Sequence, residues 1–105
     1  LASEITPVEL AERLKQPNPP TVIDVREAHE REEASLPFTV WIPMNDIPER
    51  LDELDRQAEY VILCRVGIRS MRVADFLLEN GFASATNLAT GIVGWSQTVG
   101  PTPGA

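Results

Sequence analysis

The chain's single cysteine, Cys64, closes an apolar run and opens a short loop carrying two arginines, Cys64-Arg65-Val66-Gly67-Ile68-Arg69-Ser70. A thiol is a poor nucleophile until it ionises, and nearby positive charge and hydrogen-bond donors favour the thiolate. Arg65 and Arg69 supply charge. Gly67 tolerates positive φ, so the loop can curl and turn backbone N–H groups inward as a small anion-binding bowl. An isolated cysteine is more often a small buried hydrophobe. The surroundings of this one instead describe a nucleophile facing a small anion.

The flanking elements place that loop. Tyr60-Val61-Ile62-Leu63 is an apolar, β-forming run, read as a buried strand ending at Cys64. Met71 to Asn80 has helical spacing, with apolar residues at Val73, Ala74, Leu77 and Leu78 and a stop at Gly81. Cys64 therefore leaves a strand and feeds a helix N-terminus, where unpaired amides and the positive dipole end favour an anion. Upstream, Thr6-Pro7-Val8-Glu9 is a capping box opening a short amphipathic helix that Pro17-Asn18-Pro19-Pro20 terminates. Thr21 to Val25 and Val40-Trp41-Ile42 read as strands, and Glu27 to Glu33 as a brief exposed helix or turn. Asn45 or Asp46 can cap a third helix through Pro48, Leu51 and Leu54. A weak strand at Ala85 to Leu88 and a helix from Gly91 to about Gln97 complete the pattern. Strands alternating with helices predict an α/β domain with a mostly parallel sheet covered on both faces. In such sheets ligands bind beyond the carboxyl ends of the strands, where both Arg26 and Cys64 fall. One domain over residues 1–98 and a Pro/Gly-rich tail over 99–105 account for the chain of 105 residues.

Cys64 to Ser70 resembles the active-site loop of rhodanese-type sulfurtransferases. Val22-Ile23-Asp24-Val25-Arg26 resembles that family's strand ending in Asp-Val-Arg. Gly81-Phe82 through Asn87-Leu88, with Gly91-Ile92 and Trp95, resembles its C-terminal signature. The resemblance runs from about Ile5 to about Trp95. It implies a doubly wound, five-stranded α/β fold and sulfane-sulfur transfer through a Cys64 persulfide, with no cofactor. The donor would be a small anion such as thiosulfate or a persulfide. The acceptor would be an external thiol, cyanide or a sulfur-carrier protein, since there is no second cysteine to resolve the adduct. Within the loop, Arg65 steers the donor, and Arg69 either points inward at substrate or bonds a carboxylate. Asp24 and Arg26 brace the loop. Ser70 is expected to cap the following helix rather than to bond the persulfide.

Other classes fit less well. A formal charge of −7 disfavours nucleic acid, and no apolar stretch approaches membrane-spanning length. No metal-ligand spacing appears, and Gly91-Ile92-Val93-Gly94 lacks the third glycine of a dinucleotide fingerprint. His29 lies in a charged stretch, read as solvated rather than as a partner for Cys64. A lone cysteine suits a reducing cytoplasm. Phosphatases and arsenate reductases on the same scaffold carry an arginine six positions after the cysteine, whereas here that position is Ser70 and Arg69 comes one earlier. Two further alternatives are a non-catalytic interaction module and the sulfur-donating C-terminal domain of a carrier-adenylating enzyme. The chain departs from the family pattern at Ala34-Ser35-Leu36-Pro37-Phe38-Thr39 and at Thr90, which replaces the first glycine of a pair.

Overall fold

The strand ending at Cys64 is the middle of the sheet. In a computed structural model describing residues 1–100, β4 (Glu59–Leu63) lies between β2 (Thr21–Asp24) and β5 (Ser84–Leu88), parallel to both. Two outer strands, β1 (Glu4–Ile5) beside β5 and β3 (Thr39–Trp41) beside β2, complete a five-stranded parallel sheet in the order β1-β5-β4-β2-β3. The Pro/Gly-rich tail expected over 99–105 lies, from residue 101 on, outside the described residues.

Side chains alternate across a strand, so the central strands feed two cores. Ile23, Val25, Tyr60, Ile62 and Cys64 face one side and pack with Val73, Ala74 and Leu77 of α3 (Ile68–Glu79). Val22, Val61, Leu63 and Leu88 face the other, against Leu10 of α1 (Pro7–Leu14) and Ile92 and Trp95 of α4 (Gly91–Thr98). Burial on both faces is why these strands read as unbroken apolar runs. The register then builds the working edge. Asp24 pairs with Leu63, and the Val25 N–H continues the ladder to the Leu63 carbonyl at 3.0 Å. Arg26 and Arg65, each two residues further on, leave adjacent strands at the same level.

The capping box at Thr6 forms as read: Thr6 Oγ1 accepts from the Glu9 N–H at 3.2 Å, and Glu9 Oε1 accepts from the Thr6 N–H at 2.9 Å. The brief charged helix is α2 (Ala28–Glu33), which buries no residue. Three expectations change. The two-residue β1 is too short to show alternation and was not visible in the sequence. The third helix is instead a pair of 3₁₀ turns, Met44–Asp46 and Pro48–Glu53, with Pro43 rather than Asn45 or Asp46 at the cap position. The chain there crosses beneath β2 from β3 to β4, and 3₁₀ winding covers about 2.0 Å per residue against about 1.5 Å for an α-helix. Finally, α3 starts at Ile68, three residues before Met71, because Gly67 ends the loop in the left-handed conformation (φ 98°).

Candidate active site

Cys64 follows the last residue of β4, and its side chain points under the loop toward the first turn of α3. Gly67 takes a φ that L side chains resist, and so aims its own N–H at the sulfur: Gly67 N to Cys64 Sγ is 3.1 Å. The Ser70 N–H, an orphan donor of the helix's first turn, points at the same atom from 3.4 Å, and Ser70 Oγ lies 3.1 Å away. Burial pushes the thiol's pKa up, but hydrogen bonding from the Ser70 hydroxyl and from the amides of Ser70, Gly67 and Val66 outweighs it, leaving Cys64 below its ordinary value. The expected ring of main-chain donors is present. Its position is deeper than a rim, since Cys64 is only 1% exposed.

Backbone also locks the loop from outside. The first turn of α4 donates back to it, Ile92 N–H to the Cys64 carbonyl at 2.9 Å and Val93 N–H to the Arg65 carbonyl at 3.1 Å. That approach needs a residue without Cβ at Gly91, where a Cβ would stand 2.4 Å from the Arg65 oxygen and 2.5 Å from the Cys64 oxygen. Thr90, where the family pattern carries glycine, adopts φ 64°, an uncommon conformation for a β-branched residue. Room for its side chain comes from Gly94, whose Cβ would fall 1.8 Å from Thr90 Oγ1.

Beside the loop opens a pocket of about 380 Å³, walled by Arg65, Ile92 and Val93 on one side and by Arg26, His29 and Glu30 on the other. Arg65 is exposed there, free to meet an anion; Val66 and Ile68 are exposed on the loop, 44% and 66%. Arg69 forms a forked ion pair with Glu30 at 2.7 and 2.8 Å, so of its two expected orientations the carboxylate-bonded one is adopted. The Arg69 guanidinium's hydrogen bonds hold the Glu30 carboxyl at a pKa of about 2, against a smaller upward push from burial; the Glu27 amide and the charges of Arg69 and Arg26 add to the lowering. Ser70 does not cap α3. It lies inside the first turn, fully buried, with its hydroxyl between Cys64 Sγ and Asn87 Oδ1.

Asp24 and Arg26 form a buried pair rather than a surface salt bridge, 0% and 3% exposed. The Asp24 carboxylate accepts from the Arg26 N–H at 3.0 Å, from its guanidinium at 3.0 to 3.3 Å and from Arg31 at 2.7 Å. Arg26 then donates to the Ala34 carbonyl at 2.8 Å, fixing the exit of α2. These two residues therefore brace α2, whose Glu30 holds Arg69 of the cysteine loop. His29 is solvent-exposed as read, yet it lines the pocket. Asn87 is a site residue that sequence reasoning passed over; in Ser84-Ala85-Thr86-Asn87-Leu88 it is one polar residue among three, and what sets it apart is its burial in the fold. Among the described residues no cluster of three or more His, Cys, Asp or Glu could hold a metal ion, and no helix is long and apolar enough to cross a membrane.

An α/β domain with a cysteine cradled by main-chain amides at the carboxyl edge of a parallel sheet is an architecture suited to thiolate chemistry on small anions. The chain belongs to the rhodanese-like domain family, whose model matches residues 6–98. It is 40% identical over 98 residues to YtwF of Bacillus subtilis, provisionally named a sulfurtransferase, covering 93% of this chain and 94% of that one. It is 30% identical over 97 residues to a sulfurtransferase of Allochromatium vinosum, covering 92% and 91%. A rhodanese-like domain protein from Staphylococcus aureus superposes with a TM-score of 0.84 at 33% identity, over 89% of this chain and 90% of that one. These relatives support sulfurtransferase activity in general.

Proposed function

We propose that the protein transfers sulfane sulfur through a persulfide on Cys64. The supporting observation is the convergence of the Gly67 and Ser70 N–H groups on Sγ, which favours the thiolate as attacking group and again as leaving group. With thiosulfate, the Cys64 thiolate attacks the outer sulfur, the S–S bond of the donor breaks, and sulfite leaves with the bonding electron pair. In the second half, an external thiolate or cyanide attacks the outer sulfur of Cys64–S–S⁻, and the Sγ–S bond breaks to return the thiolate. Arg65 steers the anionic donor, while Val66, Gly67, Ile68 and Ser70 form the loop that receives it. Arg69 acts by anchoring that loop to Glu30.

Loop length supports sulfur transfer over oxyanion hydrolysis. With Arg69 five positions after Cys64 and already engaged by Glu30, no guanidinium is left at the sixth position to wrap a tetrahedral phosphate. Incubation with thiosulfate should add one sulfur atom to the intact mass, and Cys64→Ala should prevent it. An unchanged mass accompanied by phosphatase or arsenate reductase activity would reverse the assignment.

A further inference from the structure

The hydrogen bonds around Ser70 demand more protons than its hydroxyl owns. Asn87, 1% exposed on β5, donates from Nδ2 to the Glu4 carboxylate at 2.8 Å and to the Gly67 carbonyl at 3.0 Å. Both partners only accept, so the amide is fixed with Oδ1 toward Ser70. Ser70 Oγ donates to that Oδ1 and also lies 3.1 Å from Cys64 Sγ. A hydroxyl has one proton to give. While Asn87 holds it, Ser70 presents a lone pair to the sulfur, and the Cys64 S–H must be the donor between them. A thiolate has no proton to donate, so the same arrangement then sets a lone pair against a negative sulfur.

We propose that Asn87 is a positioning residue for Cys64: it claims the Ser70 proton in the resting thiol, and ionisation of Cys64 turns that proton from Asn87 Oδ1 to the sulfur. The proposal rests on the reading of Cys64 as the nucleophile. Only the S–H bond breaks, its proton leaving to a base in solvent, while the Ser70 proton stays on Oγ and rotates. Turning leaves Oδ1 without a donor in a buried site, so Asn87 draws against the main-chain amides and restrains the thiolate. Once sulfur is bonded to Sγ, that atom is no longer the charged one, and the hydroxyl is free to return to Asn87.

The charged groups around the sulfur are Arg65 on the loop, Arg69 on α3 with its partner Glu30 on α2, the Asp24–Arg26 pair at the end of β2, and Glu4 on β1, which approaches through Asn87. The first turn of α4 contributes none. Substitution of Asn87 or Ser70 by alanine alters none of these charges.

The test is the pH profile of Cys64 alkylation by iodoacetamide in wild type, Asn87→Ala, Ser70→Ala and the double variant. Asn87→Ala should release the hydroxyl to the sulfur and lower the midpoint by about half to one unit, roughly a three- to tenfold rise in thiolate below the midpoint. The shift should vanish when residue 70 is already alanine. An unchanged or raised midpoint in Asn87→Ala, or an equal shift in both backgrounds, overturns the proposal. If Asn87→Ala does not fold, wild type still decides: the Asn87 side-chain amide NMR signals should move with pH at the alkylation midpoint and lose that movement in Ser70→Ala. Signals that ignore Cys64 ionisation overturn it. These readouts concern the free thiol, so their failure beside a normal sulfur adduct removes only the role of Asn87. The expected shifts without any adduct remove the sulfur-transfer reading instead.

Discussion

The pocket has two walls made by different physics. The wall made by Arg65 of the cysteine loop with Ile92 and Val93 of α4 is held by backbone: amides on the Cys64 sulfur, α4 amides on the Cys64 and Arg65 carbonyls, and glycine where a Cβ has no room. The opposite wall, α2 and its exit, buries no residue of the helix and is held by side-chain charge, through Asp24 to Arg26 and Arg31 and through Glu30 to Arg69. Main-chain donors cannot be replaced by substitution, so the reactive wall is fixed for any sequence that keeps its glycines. Side-chain ion pairs can be exchanged residue by residue. The nucleophile we propose, Cys64, belongs to the rigid side of this contrast.

The largest effect should come from the rigid wall. Gly91→Ala places a methyl inside the contact distance of two carbonyl groups, Cys64 and Arg65, at a backbone φ of 58°. We expect a loss of about 4 kcal/mol or more by urea unfolding, or no folded protein. A loss under about 1 kcal/mol would mean that α4 does not clamp the loop. Next, Asp24→Ala strips the carboxylate from two guanidinium groups, one of them buried, at an expected cost of about 3–5 kcal/mol. Because Asp24 braces α2, the alkylation midpoint of Cys64 should stay near wild type; a large midpoint shift would merge the two walls into one. Smallest is Glu30→Gln, a partly exposed pair worth about 0.5–1 kcal/mol. Its sign with pH is fixed by the lowered pKa: in wild type the contribution is complete above the ordinary carboxylate value and is lost as pH falls through about 2. The stability gap between wild type and Glu30→Gln should therefore close in strong acid, and a gap that widens there would contradict the pairing.

Much of the reactive wall was legible because it is local in sequence. A β-forming run, one cysteine, one glycine and a 3.6-periodic stretch specify strand, loop and helix within about twenty residues. The order of the strands was not local, and came from the resemblance of separated segments. What stayed hidden depended on contacts across the fold. Asn87 reaches Ser70 only because β5 lies beside β4, and Glu4 reaches Asn87 only because a two-residue strand adds to the sheet edge. Ser70 looked like a cap since serine often is one, but Gly67 starts the helix early and carries Ser70 inside it. The partner of Arg69 lies 39 positions away, beyond any spacing rule. Thr90 was visible as a departure from a glycine pair, yet its accommodation depends on the close approach of Gly94 one turn into α4.

The central claim is that hydrogen bonds from the Ser70 hydroxyl and from the loop's main-chain amides lower the Cys64 pKa despite its burial. The rate of its alkylation against pH, in the wild-type protein with no sulfur donor present, tests this most directly. The account predicts a midpoint below about 8.5, the value of an unperturbed thiol. A midpoint at or above that value would show that burial wins over these hydrogen bonds and would contradict the account.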